Sequence, residues 1–486
     1  MLFNSYIFIF AFLPVSFFIY FYLNQKGFSL LGKGFLIFCS LFFYAWWNPI
    51  YLPIILSSML FNFLISRSLN IHIKNTDSYK KLLLFMGIAF NLTLLAFFKY
   101  ADFFIENINF VTSSDIPTWN LVLPLAISFF TFQQIAYLVD TYRGESKEYD
   151  FLNYALFVTF FPQLIAGPIV HHKEMIPQFA SKINLVKNYF HIALGLFIFS
   201  IGLFKKVVIA DTFATWATNG FDIADKLYFI EAWITSLSYT FQLYFDFSGY
   251  TDMAIGAALL FNIKLPFNFN SPYKAVSIQD FWRRWHMTLS RFLKEYIYIP
   301  LGGNRLSPKR TYLNLLATFF LAGLWHGAGW TFIAWGLLHG FALIVHRAWA
   351  KTNIKIPTLF AWFLTFNFIN LSWVFFRAES FDDIVKVISG MIGFNGVLLP
   401  GFLQKNLSEY NFDFLNFGGF LSSIQGDITV FFWLILAFII VFLFKNSNYF
   451  HKTFKANTYY SLFFMFISVV SVLKLSGYSE FLYFRF

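Results

Sequence analysis

The chain has 486 residues, 58% of them hydrophobic, 23% aromatic and only 12% charged, with a net charge of +11. Soluble domains carry about 25% charged residues. This composition, with a mean hydropathy of +0.62, therefore excludes an ordinary globular protein and points to a chain solvated by lipid. The excess of Lys and Arg lies between apolar stretches, not in a soluble basic domain, which argues for cytoplasmic retention of positive loops and against nucleic-acid binding.

In chain order, hydropathy predicts spans near residues 5–23, 34–48, 50–66, 82–98, 120–139, 189–209, 229–247, 312–328, 330–346, 357–376, 428–444 and 459–475. Each approaches the length needed to cross ~30 Å of hydrocarbon. The N-terminal Met1-Leu2-Phe3-Asn4-Ser5 has no basic segment, and no small-residue cleavage site follows the first run. That run reads as a retained helix, not a signal peptide. The single cysteine, Cys39, lies in an apolar run and can form neither an intrachain disulfide nor a multi-cysteine metal site. Residues 151–170 and 248–262 are apolar but interrupted by Pro162, Gly167, Pro168, Gly249 and Gly256. They are expected to be re-entrant or short buried helices, since irregular backbone in a membrane needs protein or water around it.

The connections alternate in charge. Lys26 and Lys33 follow the first span, and Arg67, Lys74, Lys80 and Lys81 follow the third, against Asp77. Asp102, Glu106 and Asp115 follow the fourth. Asp211, Asp222 and Asp225 outnumber Lys226 in 211–228, and Lys445, Lys452 and Lys455 precede the last span. The positive-inside rule then puts the N-terminus outside. Residues 377–427 also fall outside. They are acidic (Glu379, Asp382, Asp383, Glu409, Asp413 and Asp427 against Arg377, Lys386 and Lys405) and are expected to form an excursion with an amphipathic helix. Without internal repeats or a flexible linker, residues 1–486 read as one membrane domain.

Residues 264–310 are strongly basic: Lys264, Lys274, Arg283, Arg284, Arg291, Lys294, Arg305, Lys309 and Arg310 face only Asp280 and Glu295. Phe281, Trp282, Trp285, Phe292, Tyr296 and Tyr298 are interleaved. The pattern predicts amphipathic helices lying on the cytoplasmic face, anchored to anionic lipid. Arg283, Arg284, Lys294 and Arg305 are the candidates to hold the phosphates of an anionic substrate such as coenzyme A. His286 sits beside Arg283 and Arg284, a pair expected to lower its pKa and keep the ring neutral, able to accept a proton.

His326 lies in Leu321-Ala-Gly-Leu-Trp-His-Gly-Ala-Gly-Trp330, well inside an apolar run that starts near Tyr312. An ionisable side chain at that depth is costly and marks a functional site. Imidazole suits reversible proton transfer near neutral pH. Gly327 and Gly329 are expected to leave room for a donor beside it, with Trp325 and Trp330 walling out water. His339 reads as structural, and His171 and His172 as loop residues after Gly167-Pro168. Asp246 and Asp252 read as a polar network satisfied by Tyr244, Ser248, Tyr250 and Thr251. His72 and Asp77 have the spacing of a soluble-faced acyltransferase motif without its glycine-rich surroundings. No Walker loop, His-Glu-x-x-His or nucleophile-elbow motif occurs, and no metal is expected.

Taken together, Arg284-Trp285-His286, Tyr298-Ile-Pro-Leu-Gly-Gly-Asn-Arg305 and Leu324-Trp325-His326-Gly327 resemble the membrane-bound O-acyltransferase family. The bacterial branch typified by the alginate O-acetylation membrane protein is the more similar. Pro124–Gln133, Phe161–Ile169 and Tyr244–Ala254 resemble that branch too, in the same order, and the likeness runs from the N-terminus to about residue 380, with a core at about 120–380. The resemblance implies an all-α polytopic bundle of about 11–13 transmembrane helices, with re-entrant and interfacial amphipathic helices and a water-accessible cavity from each membrane face. It maps the family's invariant histidine onto His326 and the branch's second histidine onto His286. It implies acetyl transfer from a cytoplasmic donor to an envelope polysaccharide such as an alginate-like exopolysaccharide or peptidoglycan. A periplasmic or membrane-anchored acetyltransferase partner and no permanently bound cofactor go with it. D-alanyl transfer to teichoic acid, or a transporter with His326 and the aspartates on a proton path, are the alternatives.

Overall fold

The computed structural model describes residues 1–71, 77–146, 150–407, 414–475 and 482, and they are almost entirely helical. The longer helices, in chain order, are α1 (Leu13–Gln25), α2 (Ser29–Ala45), α3 (Leu52–Ile71), α4 (Asp77–Thr112), α5 (Ile127–Tyr142), α6 (Phe151–Thr159) and α7 (His172–Ala180). They continue with α8 (Tyr189–Phe204), α9 (Phe229–Leu260), α10 (Pro308–His326), α11 (Trp330–Trp349), α12 (Thr358–Arg377), α13 (Phe381–Met391), α14 (Thr429–Leu443) and α15 (Thr458–Lys474). Every predicted span coincides with one of these. Among the described residues, six helices are long and apolar enough to cross a membrane, or seven if the bent pair Thr429–Leu443 and Ser447–Thr453 is one span. The others are shorter, as α2 and α15 are at 17 residues each, or more polar. The protein is an all-α polytopic membrane protein. Glu409 and Asp413 of the acidic excursion lie outside the described residues.

The chain packs as two compact units. The first comprises Met1–Leu203, Tyr250–Asn268 and Ser447–Leu475. Water is absent from a bilayer core and lipid tails give no hydrophobic drive between helices, so polar bonds and close packing must hold them. Asn62 of α3 and Asn91 of α4 exchange amide bonds of 2.6 and 3.2 Å. Gln134 of α5 donates to Ser58 at 3.0 Å and accepts from Tyr154 of α6 at 3.0 Å. Residues 248–262 are not re-entrant as expected: α9 runs unbroken through Gly249 and Gly256. Gly256 serves close approach instead. A Cβ there would come within 2.5 Å of the Gly195 carbonyl on α8.

The second unit comprises Phe204–Gly249 and Phe269–Asn446, with Leu482. Here α10 and α11 form a hairpin whose backbones nearly touch. A Cβ on Gly323 would run into the carbonyl of Phe332, and one on Gly336 into that of Phe319. The basic segment does not form long amphipathic helices as expected. It forms short helices, Ile278–Trp282 and Met287–Leu293, followed by a π-helical turn, Lys294–Tyr298. Its Phe281, Trp282 and Trp285 belong to the apolar core of this unit, because large aromatic surfaces are best buried against one another. The 377–427 stretch carries the expected amphipathic helix, α13, started by a capping box between Ser380 and Asp383. It also carries a parallel pair, β1 (Val397–Pro400) with β2 (Leu415–Gly418), which no sequence pattern announces.

A Gly336→Leu substitution is expected to force α10 and α11 apart at a cost of about 1–3 kcal/mol and to lower the midpoint of thermal unfolding in detergent. Leu337→Ala, at a position 40% exposed, should leave the midpoint within a degree or two.

Candidate active site

Helix α10 starts at Ser307, whose hydroxyl accepts from the Arg310 N–H at 3.3 Å, with Pro308 in the first turn. It ends at His326, where Gly327 turns extended. His326 is therefore a helix-terminal residue, 6% exposed. His286 precedes the Met287–Leu293 helix in a left-handed backbone conformation, φ 41° and ψ 54°, and is fully buried. Few non-glycine residues adopt that conformation, and it concentrates at functional sites.

The two histidines line one small pocket with room of about 10 Å³, the size of a single water. Its walls are Leu243 and Phe247 of α9, together with Trp285, Trp335, Trp373 and Phe376. The His326 ring stands edge-on to Trp335 and Phe376, each at 5.0 Å. The His286 ring stands edge-on to Phe247 at 4.9 Å. Burial pushes the pKa of His286, which lies between the spanning helices, down to about 3. The ring is neutral as expected, but for a different reason. The Arg284 guanidinium is tied to Asp280 at 2.8 Å, and Arg283 points out to solvent.

Other expectations shift as well. The space beside Gly327 is filled by the Phe332 ring, so the glycine admits a neighbour and does not leave an opening. Trp330 is 56% exposed, and Trp335 and Trp373 wall the site in its place. His339 is held at both nitrogens: Trp282 Nε1 donates to Nδ1 at 3.2 Å, and Nε2 meets Ser372 Oγ at 3.1 Å. Asp246 does not rely on neighbouring hydroxyls. Lys206 reaches it at 2.6 Å and Asp211 at 2.7 Å. The signal for that trio was a lysine pair, Lys205-Lys206, inside an apolar run just before Asp211. Asp77 opens α4 and pairs with Lys81 at 2.6 Å, while His72 lies outside the described residues.

A second cavity, open and about 520 Å³, lies on the same unit. The π-helical turn puts Lys294 and Tyr298 on its wall, joined by Gln279, Arg305, His346 and Arg347. Gly302 and Gly303, at φ 102° and 55°, make the tight turn that delivers Arg305, and Asn314 pins this turn by donating to the Gly303 carbonyl at 3.0 Å. Of the four cations proposed for phosphates, Lys294 and Arg305 meet here, and Arg283 and Arg284 are not among the lining residues. His346 and Arg347 were missed. Their signal was a basic pair in the last turn of α11, where the helix dipole favours cations.

The profile of the membrane-bound O-acyltransferase (MBOAT) family matches residues 17–378. The chain belongs to this family. It is 52% identical to a peptidoglycan O-acetyltransferase of Helicobacter pylori, over 100% of this chain and 98% of the relative. It is 38% identical to a probable alginate O-acetylase of Pseudomonas aeruginosa, over 84% and 78%. To a teichoic acid D-alanyltransferase of Bacillus subtilis it is 28% identical, over 54% and 71%. The protein is thus a multi-pass membrane O-acyltransferase, and both histidines of its small pocket fall inside the matched region.

Because the pKa of His286 is lower in the folded protein than the ~6.5 of a free imidazole, only the unfolded chain binds that proton at mildly acid pH. The stability this neutral ring contributes is complete above about pH 6.5 and is lost as pH falls from there toward 3. A His286→Gln variant should therefore lose less thermal stability than wild type between pH 7 and pH 5, measured by thermal unfolding in detergent.

Proposed function

We propose that this membrane O-acyltransferase carries acetyl groups from cytoplasmic acetyl-CoA across the inner membrane to hydroxyls of a cell-envelope glycan, with its N-terminus in the periplasm. The observation that carries this reading is the convergence of His286 and His326, from separate segments, on one small aromatic pocket. Peptidoglycan is the favoured acceptor, because the peptidoglycan O-acetyltransferase matches end to end, whereas the alginate O-acetylase matches 84% of the chain. The final acceptor is the glycan hydroxyl or a hydroxyl of a periplasmic or membrane-anchored partner acetyltransferase. The chemistry at His326 is the same in both cases.

In this reading His326 takes the proton of the acceptor hydroxyl as its oxygen attacks the thioester carbonyl carbon. The tetrahedral intermediate collapses with rupture of the C–S bond, and the coenzyme A thiolate leaves with the proton that His326 held. The neutral His286 ring keeps one N–H and offers it to the developing oxyanion. The indole and phenyl walls exclude water, which would otherwise hydrolyse the thioester. Lys294, Arg305 and Arg347 hold the donor's phosphates at the open cavity, where charge-assisted bonds are strong.

The test is transfer from radiolabelled acetyl-CoA to a glycan acceptor by the purified protein in nanodiscs. His326→Ala should lower the rate by about 10²–10⁴, the range for a general base, and His286→Ala by about 10²–10³, the range for one oxyanion donor. Wild-type turnover by His326→Ala would remove it from the reaction. Lys294→Glu and Arg305→Glu should raise the KM for acetyl-CoA with little change in kcat, as expected for groups that bind donor and transition state alike, while Arg284→Gln should leave KM near the wild-type value.

A further inference from the structure

We propose that Asp140, His171 and His172 form a binding site for one divalent transition-metal ion, using none of the residues assigned to acyl transfer. Asp140 lies in the last turns of α5, His171 immediately precedes α7, and His172 is its first residue. His171 lies in the connection, as the sequence suggested, whereas His172 is already helical. Both rings aim Nε2 at the same carboxylate oxygen: Asp140 Oδ2 is 2.9 Å from His171 Nε2 and 3.0 Å from His172 Nε2. All three donor atoms lie within 4.8 Å of one another.

The two histidine–carboxylate separations can be compared with those around a metal ion. Around a metal with ~2.1 Å bonds, ligands at right angles stand about 3.0 Å apart, whereas tetrahedral ligands stand about 3.4 Å apart. The two nitrogen–oxygen separations, 2.9 and 3.0 Å, are near the first value. Two imidazoles and one carboxylate are the donor set of the two-histidine, one-carboxylate sites that keep open positions. They suit zinc, iron, cobalt or nickel better than calcium or magnesium, which take mainly oxygen, or copper(I), which takes sulfur.

The surroundings hold these donors in place. The Asp140 and His172 side chains are 2% and 1% exposed, and His171 keeps 13%, one accessible edge. The His172 ring packs edge-on to Tyr137 at 5.3 Å, and the two imidazoles lie 4.8 Å apart. Arg143 stands 3.8 Å from the other carboxylate oxygen, Oδ1, and orients it. Lys173 pairs with Glu145, which neutralises the next charge along the chain. A bound ion would clamp the C-terminal end of α5 to the N-terminal end of α7. No recognised ligand spacing announces the set, because the fold brings Asp140 to the histidine pair from a distant stretch of chain.

The test uses full-length protein without a histidine tag, stripped by chelator and titrated with cobalt(II) while the d–d absorption is followed. Wild type should bind one equivalent, and zinc should raise its thermal unfolding midpoint. His171→Gln and His172→Gln keep an N–H that can reach Asp140 but remove the ligand nitrogen. Each should weaken cobalt binding at least tenfold and abolish the zinc-induced shift. No saturable cobalt binding by wild type, or equal binding by the variants, overturns the site in favour of a hydrogen-bonded cluster. Should the variants fail to fold, zinc K-edge X-ray absorption of wild type loaded with one equivalent decides. Imidazole scattering at ~2.0–2.1 Å is required, and its absence overturns the proposal.

Discussion

The closeness of the α10 and α11 backbones sets the geometry of the candidate site. Gly323 and Gly336 let each helix lie against a carbonyl of the other, and any larger residue at either position would hold them apart. Between apolar helices in lipid, this contact is dispersion with no hydrophobic gain, so it depends on close fit. The seam also fixes the chemistry. His326 is the last residue of α10, and Trp335 precedes Gly336 on α11, so their rings are held edge to face at 5.0 Å. Trp373 and Phe376 of α12 then pack on Trp335 at 5.9 and 5.1 Å and close the cage.

Burial among aromatics does not by itself make a histidine reactive, and His339 supplies the comparison. It is as buried as His286 and touches the same Trp335. Its nitrogens, however, are bonded on one side to an indole N–H and on the other to Ser372, whose hydroxyl passes its own proton to the Ile369 carbonyl at 2.8 Å. Every donor and acceptor in that chain is matched with the ring neutral, so a proton gained or lost would orphan a buried group. His286 and His326 differ in lining the small pocket between the aromatic walls.

Much of this was legible in the sequence because lipid leaves few choices. An apolar run near the bilayer's thickness must be a helix, so the spans were readable. A histidine inside such a run is costly, so His326 stood out. What escaped was pairing across the fold. Lys206 lies 40 residues before Asp246 in the chain, and only the fold brings α9 and its carboxylate to it. Gly256 looked like a helix breaker, yet it is a contact point, since a lone glycine cannot say whether it bends a backbone or lets one approach. The aromatics of the basic segment suggested an interfacial belt, because alternation of Trp with Arg is the same whether the rings face lipid or protein core. Only the packing of Trp282 and Trp285 against α11 and α12 decides between them.

The size of the histidine space bears on how the reaction proceeds. On the proposed function, a thioester carbonyl and an attacking hydroxyl need more room than one water, so the two rings would hold both reactants only if a wall yields. Trp335 and Trp373 are poor candidates: they are 0% and 1% exposed and stacked at 15°, and moving either would open voids through a close-packed core. The segment carrying His286 is different in kind. It begins a helix of only seven residues from a left-handed backbone that a non-glycine residue adopts at some cost. The stiff aromatic side of the site thus keeps His326 aligned, while the side that carries His286 has the least secondary structure to lose. An apolar space the size of one water, with few polar partners, also gives that water little reason to stay, which on the proposed function would protect a thioester.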